Sequence, residues 1–143
     1  MPKPYASAVL PVSADLVWES IRDFAGIAGW HPGISSAELE GGAGDQVGTV
    51  RRLIGPGGEV FRERLLALDD TARSYTYEFL ESPFPVRSYE ATIRVTPVTD
   101  TGYAFVEWMA TYDADAEEEA QLTKTFSRGV FATGLAALRD RFS

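Results

Sequence analysis

ADAEEEAQLTKTFSRGVFATGLAALRDRF, residues 114–142, has the apolar spacing of one long helix. Apolar side chains recur at Leu122, Phe126, Val130, Phe131, Leu135, Leu138 and Phe142, spacings that lay one stripe along an α-helix. Asp115, Glu117, Glu118 and Glu119 open the stretch and Arg139 and Arg141 close it, so each end carries the charge that its helix dipole favours. Ala114 to Phe142 as one helix would be roughly 40 Å long at about 1.5 Å per residue. A stripe of that length needs an equally long apolar partner, and the segments before it offer strands.

Tyr5 to Val12 alternates small and apolar residues and stops at Pro11, which predicts a first strand near a sheet edge. Ser13 stands at an N-cap position, with Asp15 in the first turn and an apolar face of Leu16, Val17, Ile21 and Phe24. Gly26 and Gly29 break that helix and leave room for a second short one around Ile27. From Ser36 the runs Ser36–Glu40, Val47–Ile54, Glu59–Leu68, Ser74–Glu81, Arg87–Val98 and Gly102–Asp113 are of strand length, separated by turns rich in Gly, Pro and Asp. Tyr89, Ala91, Ile93 and Val95 share one side of their strand; Glu90, Thr92, Arg94 and Thr96 share the other. One face is dry and one is wet. The terminal helix is the cover for the dry face, and the first strand brings the sheet to seven.

The chain of 143 residues reads as a single domain, residues 1–143, able to bury a core. Thirteen basic against twenty-one acidic side chains give a net charge of −8, which repels a phosphate backbone, so nucleic acid is not an expected partner. No apolar run approaches a membrane span. The absence of cysteine removes disulfides and thiolate sites, and a single histidine removes a multi-histidine metal centre. No metal or cofactor is expected. The first twelve residues lack the apolar segment of a signal peptide, so a cytoplasmic location is expected, with the chain as a monomer or homodimer.

The element order, a strand, two short helices, six strands and a long helix, resembles the helix-grip fold of the START/Bet v 1-like superfamily, an α+β architecture. Val17-Trp18, Asp23-Phe24, Trp30-His31-Pro32, Gly48-Thr49-Val50-Arg51, Glu63-Arg64-Leu65 with Asp69, Tyr75 and Tyr77, and Trp108 resemble its polyketide cyclase/dehydrase branch. The resemblance covers essentially the whole chain. It implies a seven-stranded antiparallel curved sheet and a long C-terminal helix enclosing a cavity, in a family that includes aromatase/cyclases and carriers of hydrophobic ligands.

Two side chains are candidates for acid/base work in such a cavity. His31 titrates near neutrality and sits in a Trp-His-Pro-Gly loop at the expected cavity mouth, where it is either a general base or a loop histidine stacked on Trp30 or capping a backbone group. Glu63 shares strand parity with Phe61 and Leu65. Facing inward it would be a buried carboxylate with a raised pKa unless Arg51 or Arg52 compensates; facing outward it would be a solvated partner of an arginine. Both phases of that strand mix charge with apolar residues, so the pattern leaves its register open.

Trp30, Tyr75, Tyr77, Tyr89 and Trp108 are the aromatic candidates for ligand contact, and Leu122, Phe126 and Val130 are the helix candidates. Gly129 and Gly134 interrupt the helix, either for close sheet contact or for ligand room, at roughly 1 kcal/mol each relative to alanine. Neither Gly55-Pro56-Gly57-Gly58 nor Gly41-Gly42-Ala43-Gly44 continues into the Gly-Lys-Ser/Thr run of a phosphate loop, and Gly-x-Ser-x-Gly is absent. The expectation is therefore a domain that binds a hydrophobic small molecule, be it polyketide, aromatic or lipid-like. The alternatives are a cyclase/dehydrase-type enzyme using His31 and Glu63 with a Tyr77 or Tyr89 hydroxyl, and a protein-interaction module similar to the chaperone-ATPase-activator branch.

Overall fold

The computed structural model describes all residues, 1–143. Seven antiparallel strands form one sheet in the order β1-β7-β6-β5-β4-β3-β2. They are β1 (Tyr5–Leu10), β2 (Ser36–Leu39), β3 (Val50–Ile54), β4 (Val60–Asp69), β5 (Ser74–Glu81), β6 (Val86–Pro97) and β7 (Ala104–Ala114). From β2 to β7 every neighbour in space is the neighbour in sequence, through connections of four to six residues except for the ten between β2 and β3; β1, which ends before Pro11, takes the free edge of β7.

Helix α1 (Ala14–Ile21) is capped by Ser13, whose hydroxyl accepts the Leu16 N–H at 3.2 Å. A 3-10 turn, Phe24–Gly29, follows at once, capped by Asp23 on the Ala25 N–H at 3.1 Å. These two short helices bury Val17, Trp18, Ile21, Phe24 and Ile27 and close one end of the concave sheet face. Tyr89, Ala91, Ile93 and Val95 of β6 and Val106, Trp108, Ala110 and Tyr112 of β7 are all buried on that face. The period-two pattern thus becomes the core wall.

The C-terminal helical segment crosses the concave face in three parts: α2 (Ala116–Lys124), a π-wound stretch (Thr125–Ala132) and α3 (Thr133–Arg141). It differs from the sequence expectation at both its start and its middle. Ala114 is the last residue of β7, where it pairs with Val86, and Asp115 is the N-cap. The π winding keeps Phe126 and Phe131 buried, and two of its carbonyls are met by side chains. The Thr133 hydroxyl donates to the Arg128 carbonyl at 2.9 Å, and His31 Nε2 lies 2.8 Å from the Val130 carbonyl.

The two helix glycines serve different ends. A Cβ on Gly134 would lie 2.6 Å from His31 Cδ2 and 2.9 Å from the Trp108 ring, so the helix approaches the sheet there more closely than alanine permits. A Cβ on Gly129 would meet nothing within 4 Å. Close packing explains the first; open space surrounds the second.

Candidate functional site

Between the sheet, the 3-10 turn and the π-wound stretch lies a cavity of about 370 Å³. That volume falls within the roughly 300–1,000 Å³ of small-molecule sites. Eleven of its nineteen lining residues are hydrophobic, so the lining favours an apolar body with few polar anchors.

The walls are aromatic. Phe79 of β5 stacks on Tyr89 of β6 with ring centroids 3.8 Å apart and planes 11° from parallel. Phe126 meets Tyr89 at 4.8 Å and Phe84 edge-on at 5.1 Å. Phe84 stands in the β5–β6 turn between Pro83 and Pro85, which hold the chain extended and aim the ring back over the hollow.

The polar end rests on β3 and β4. Arg51 and Glu63 are direct cross-strand partners, and both are buried, Arg51 completely and Glu63 to 5% exposure. Arg51 Nε donates to Glu63 Oε1 at 2.8 Å and Nη2 lies 2.7 Å from the same oxygen, while Nη1 donates to the Phe24 carbonyl at 2.9 Å. The guanidinium carbon also sits 3.9 Å above the Phe24 ring and 4.8 Å from that of Tyr77. The arginine is held from three sides, by Glu63, the Phe24 carbonyl and the aromatic rings. Glu63 lines the cavity, and both its hydrogen bond and its ion pair with Arg51 fall on Oε1. Burial raises the Glu63 pKa, and the Arg51 charge opposes that rise.

His31 also lines the cavity, with both ring nitrogens engaged. Nδ1 accepts the Gly33 N–H at 2.9 Å, which assigns the proton to Nε2 and makes it the donor to the Val130 carbonyl. Burial lowers the His31 pKa, the Val130 carbonyl opposes that shift, and Arg51 adds to it. The ring is thus neutral and holds its loop to the π-wound stretch. Its centroid lies 5.8 Å from that of Trp30, and it meets Trp108 edge-on at the same separation.

Tyr77 accepts the Trp108 indole N–H at 3.2 Å and keeps its own proton to donate. Burial raises the pKa of both Tyr77 and Tyr89, so both phenols stay protonated at neutral pH. The cavity therefore brings together His31, Glu63, Tyr77, Tyr89, Trp108, Phe126 and Val130.

Three expected contacts fall outside it. Trp30 packs 5.6 Å from Trp108 without reaching the lining. Tyr75 lies against Trp18 and Phe24, and Leu122 is buried in the core one helical turn before Phe126. Their burial is as expected, but the short helices fill the Tyr75 end of the concave face, so an inward side chain there meets protein. Phe61, Phe79, Phe84 and Leu53 also form the apolar wall; Phe79 shares a strand phase with Tyr75 and Tyr77, and Phe61 with Glu63, but none of the four was among the expected ligand contacts. For Phe84 the available signal was an aromatic ring held between two prolines.

A curved antiparallel sheet gripping a C-terminal helix around an aromatic hollow defines the helix-grip class. From residue 1 to 143 the sequence matches the family described as polyketide cyclase / dehydrase and lipid transport, and the chain belongs to that family. It is similar to the protein XoxI from Bacillus cereus at 32% identity and TM-score 0.90, over 99% of this chain and 96% of that one. A protein from Thermobifida fusca solved by NMR shares 32% identity at TM-score 0.91, over 99% and 93% of the two chains. Ginseng major latex-like protein 151 from Panax ginseng, at 16% identity and TM-score 0.80 over 99% and 97%, shares the fold. No helix is long and apolar enough to cross a membrane.

Proposed function

We propose that the protein binds a hydrophobic small molecule with an aromatic body in the cavity between the sheet and the π-wound stretch. The observation that carries this reading is the hollow of about 370 Å³ walled by Phe79, Tyr89, Phe84 and Phe126. An unfilled volume of that size is destabilising at about 24 cal/mol per Å³, nominally comparable with a domain's whole stability. A chain that keeps it forgoes stability that a filled core would supply. Displacement of a fluorescent apolar probe, followed by native mass spectrometry of the complex, tests the reading. Saturable one-to-one uptake supports it, and no uptake by the folded protein refutes it.

A catalytic reading, acid/base chemistry on a ketide, is favoured by one feature: Glu63 is a buried carboxyl group on the cavity wall with a raised pKa. His31 would have to surrender its Gly33 hydrogen bond before its ring could take a proton. Turnover of a ketide substrate that Glu63→Gln abolishes while binding persists would support this reading. Equal rates in both proteins would remove it.

A further inference from the structure

The polar end of the cavity selects among hydrophobic ligands. We infer that Glu63 Oε2 is a specificity-determining acceptor, and that the ligand is a neutral aromatic alcohol or phenol rather than a carboxylic acid or an ether. The inference rests on the proposed binding of an aromatic molecule and adds the identity of its polar group.

Glu63 is 5% exposed and lines the cavity, and Arg51 engages only its Oε1. An ionised carboxylate accepts hydrogen bonds at both oxygens and donates none. Oε2 receives no protein hydrogen bond and is not sealed away from the cavity, so a ligand hydroxyl placed on it would make a charge-assisted hydrogen bond that the protein leaves open. Arg51 is not part of the cavity lining, and its Nη1 goes to the Phe24 carbonyl while its plane lies against the Phe24 and Tyr77 rings, so a ligand's polar group meets Glu63 rather than Arg51.

Charge narrows the class. Arg51 and Glu63 together are neutral, so a ligand carboxylate would bring an unbalanced negative charge beside Glu63 in a largely apolar site. A cationic amine would leave the opposite imbalance beside Arg51. A neutral hydroxyl brings the donor without either charge. The aromatic walls supply the rest: the Phe79–Tyr89 stack and the Phe126 and Phe84 rings suit a flat body.

The test compares 2-naphthol, 2-methoxynaphthalene and 2-naphthoate with the full chain at neutral pH, by isothermal titration calorimetry. The expected order is 2-naphthol at least about tenfold tighter than 2-methoxynaphthalene, a charge-assisted hydrogen bond's worth, with 2-naphthoate weakest. In Glu63→Gln the amide oxygen turns to Arg51 and the amide NH2 faces the cavity, a donor where an acceptor stood. The naphthol-to-ether ratio then falls toward one. Equal binding of naphthol and ether by the unmodified protein overturns the inference but leaves the proposed binding function standing. So does preferred binding of the naphthoate. If none of the three binds, the proposed function fails and the inference with it. The comparison on the unmodified protein decides the matter even if Glu63→Gln does not fold.

Discussion

Arg51 and Glu63 face each other across β3 and β4, joined at 2.8 Å in the interior of the concave face. The pair decides which way β4 points, and it sets the polar end of the cavity. Its energetics are asymmetric: as a pair it is near balance, but either member alone is an uncompensated buried charge. Glu63→Leu and Arg51→Met are each expected to lower stability by about 3–5 kcal/mol. The double variant should recover most of that loss. Urea unfolding of the three proteins checks this, and additive losses would contradict it.

His31 makes stability depend on pH. Its pKa is lowered in the folded chain by burial, whereas in the unfolded chain it is about 6.5. The unfolded state therefore binds the proton first. The contribution of the neutral ring is fully present above about pH 6.5 and is lost as the pH falls from there toward the lowered folded value. Glu63, whose pKa is raised, acts with the opposite sign, so the informative quantity is a difference. Between pH 7.5 and 5.5 the unmodified protein should lose more stability than His31→Gln, measured by urea midpoints at each pH.

Gly129 and Gly134 should respond oppositely to alanine. At Gly129 the new methyl meets nothing within 4 Å, so the helix gains up to about 1 kcal/mol in propensity. At Gly134 the methyl would press on His31 Cδ2 and the Trp108 ring, with a loss of about 1–3 kcal/mol from overpacking. Thermal unfolding distinguishes the two. A larger side chain at Gly129, as in Gly129→Phe, should reduce probe uptake without unfolding the chain, because Gly129 borders the cavity.

Phe84 should matter more to ligand than to fold. It is half-buried in a turn and reaches Phe126 at 5.1 Å, and an edge-to-face contact is worth about 0.5–1.5 kcal/mol. Phe84→Ala is expected to weaken an aromatic probe by about 2- to 10-fold, the equivalent in affinity. Phe126→Ala, fully buried, should lower stability by about 3–5 kcal/mol as well. Calorimetric titration beside urea unfolding separates the two effects.

Much of the fold was legible because its signals are local. Ser13 caps α1 where expected, and Tyr89 to Val95 alternates as a half-buried strand must. The phase of β4 was not legible, since Phe61, Glu63 and Leu65 oppose Arg62 and Arg64 with charge on both sides. Arg51 and Arg52 were both possible partners; the missing information was which one lies opposite Glu63, and the β3–β4 register selects Arg51, twelve positions away in sequence. Trp30, Tyr75 and Leu122 illustrate a second limit. Periodicity finds residues that point inward, but whether an inward residue meets a hollow or another side chain depends on where α1 and the 3-10 turn pack. The π winding was hidden for a related reason, because apolar residues four apart suit either winding.

Binding in the aromatic hollow can be followed residue by residue in an NMR titration of the isotope-labelled chain with 2-naphthol. Saturable shift changes centred on Glu63, Phe79, Phe84, Tyr89, Phe126 and Gly129, with the outer sheet residues Glu90, Arg94 and Glu107 unmoved, are the predicted result. Absence of saturable changes, or changes confined to the outer face of the sheet, would contradict it.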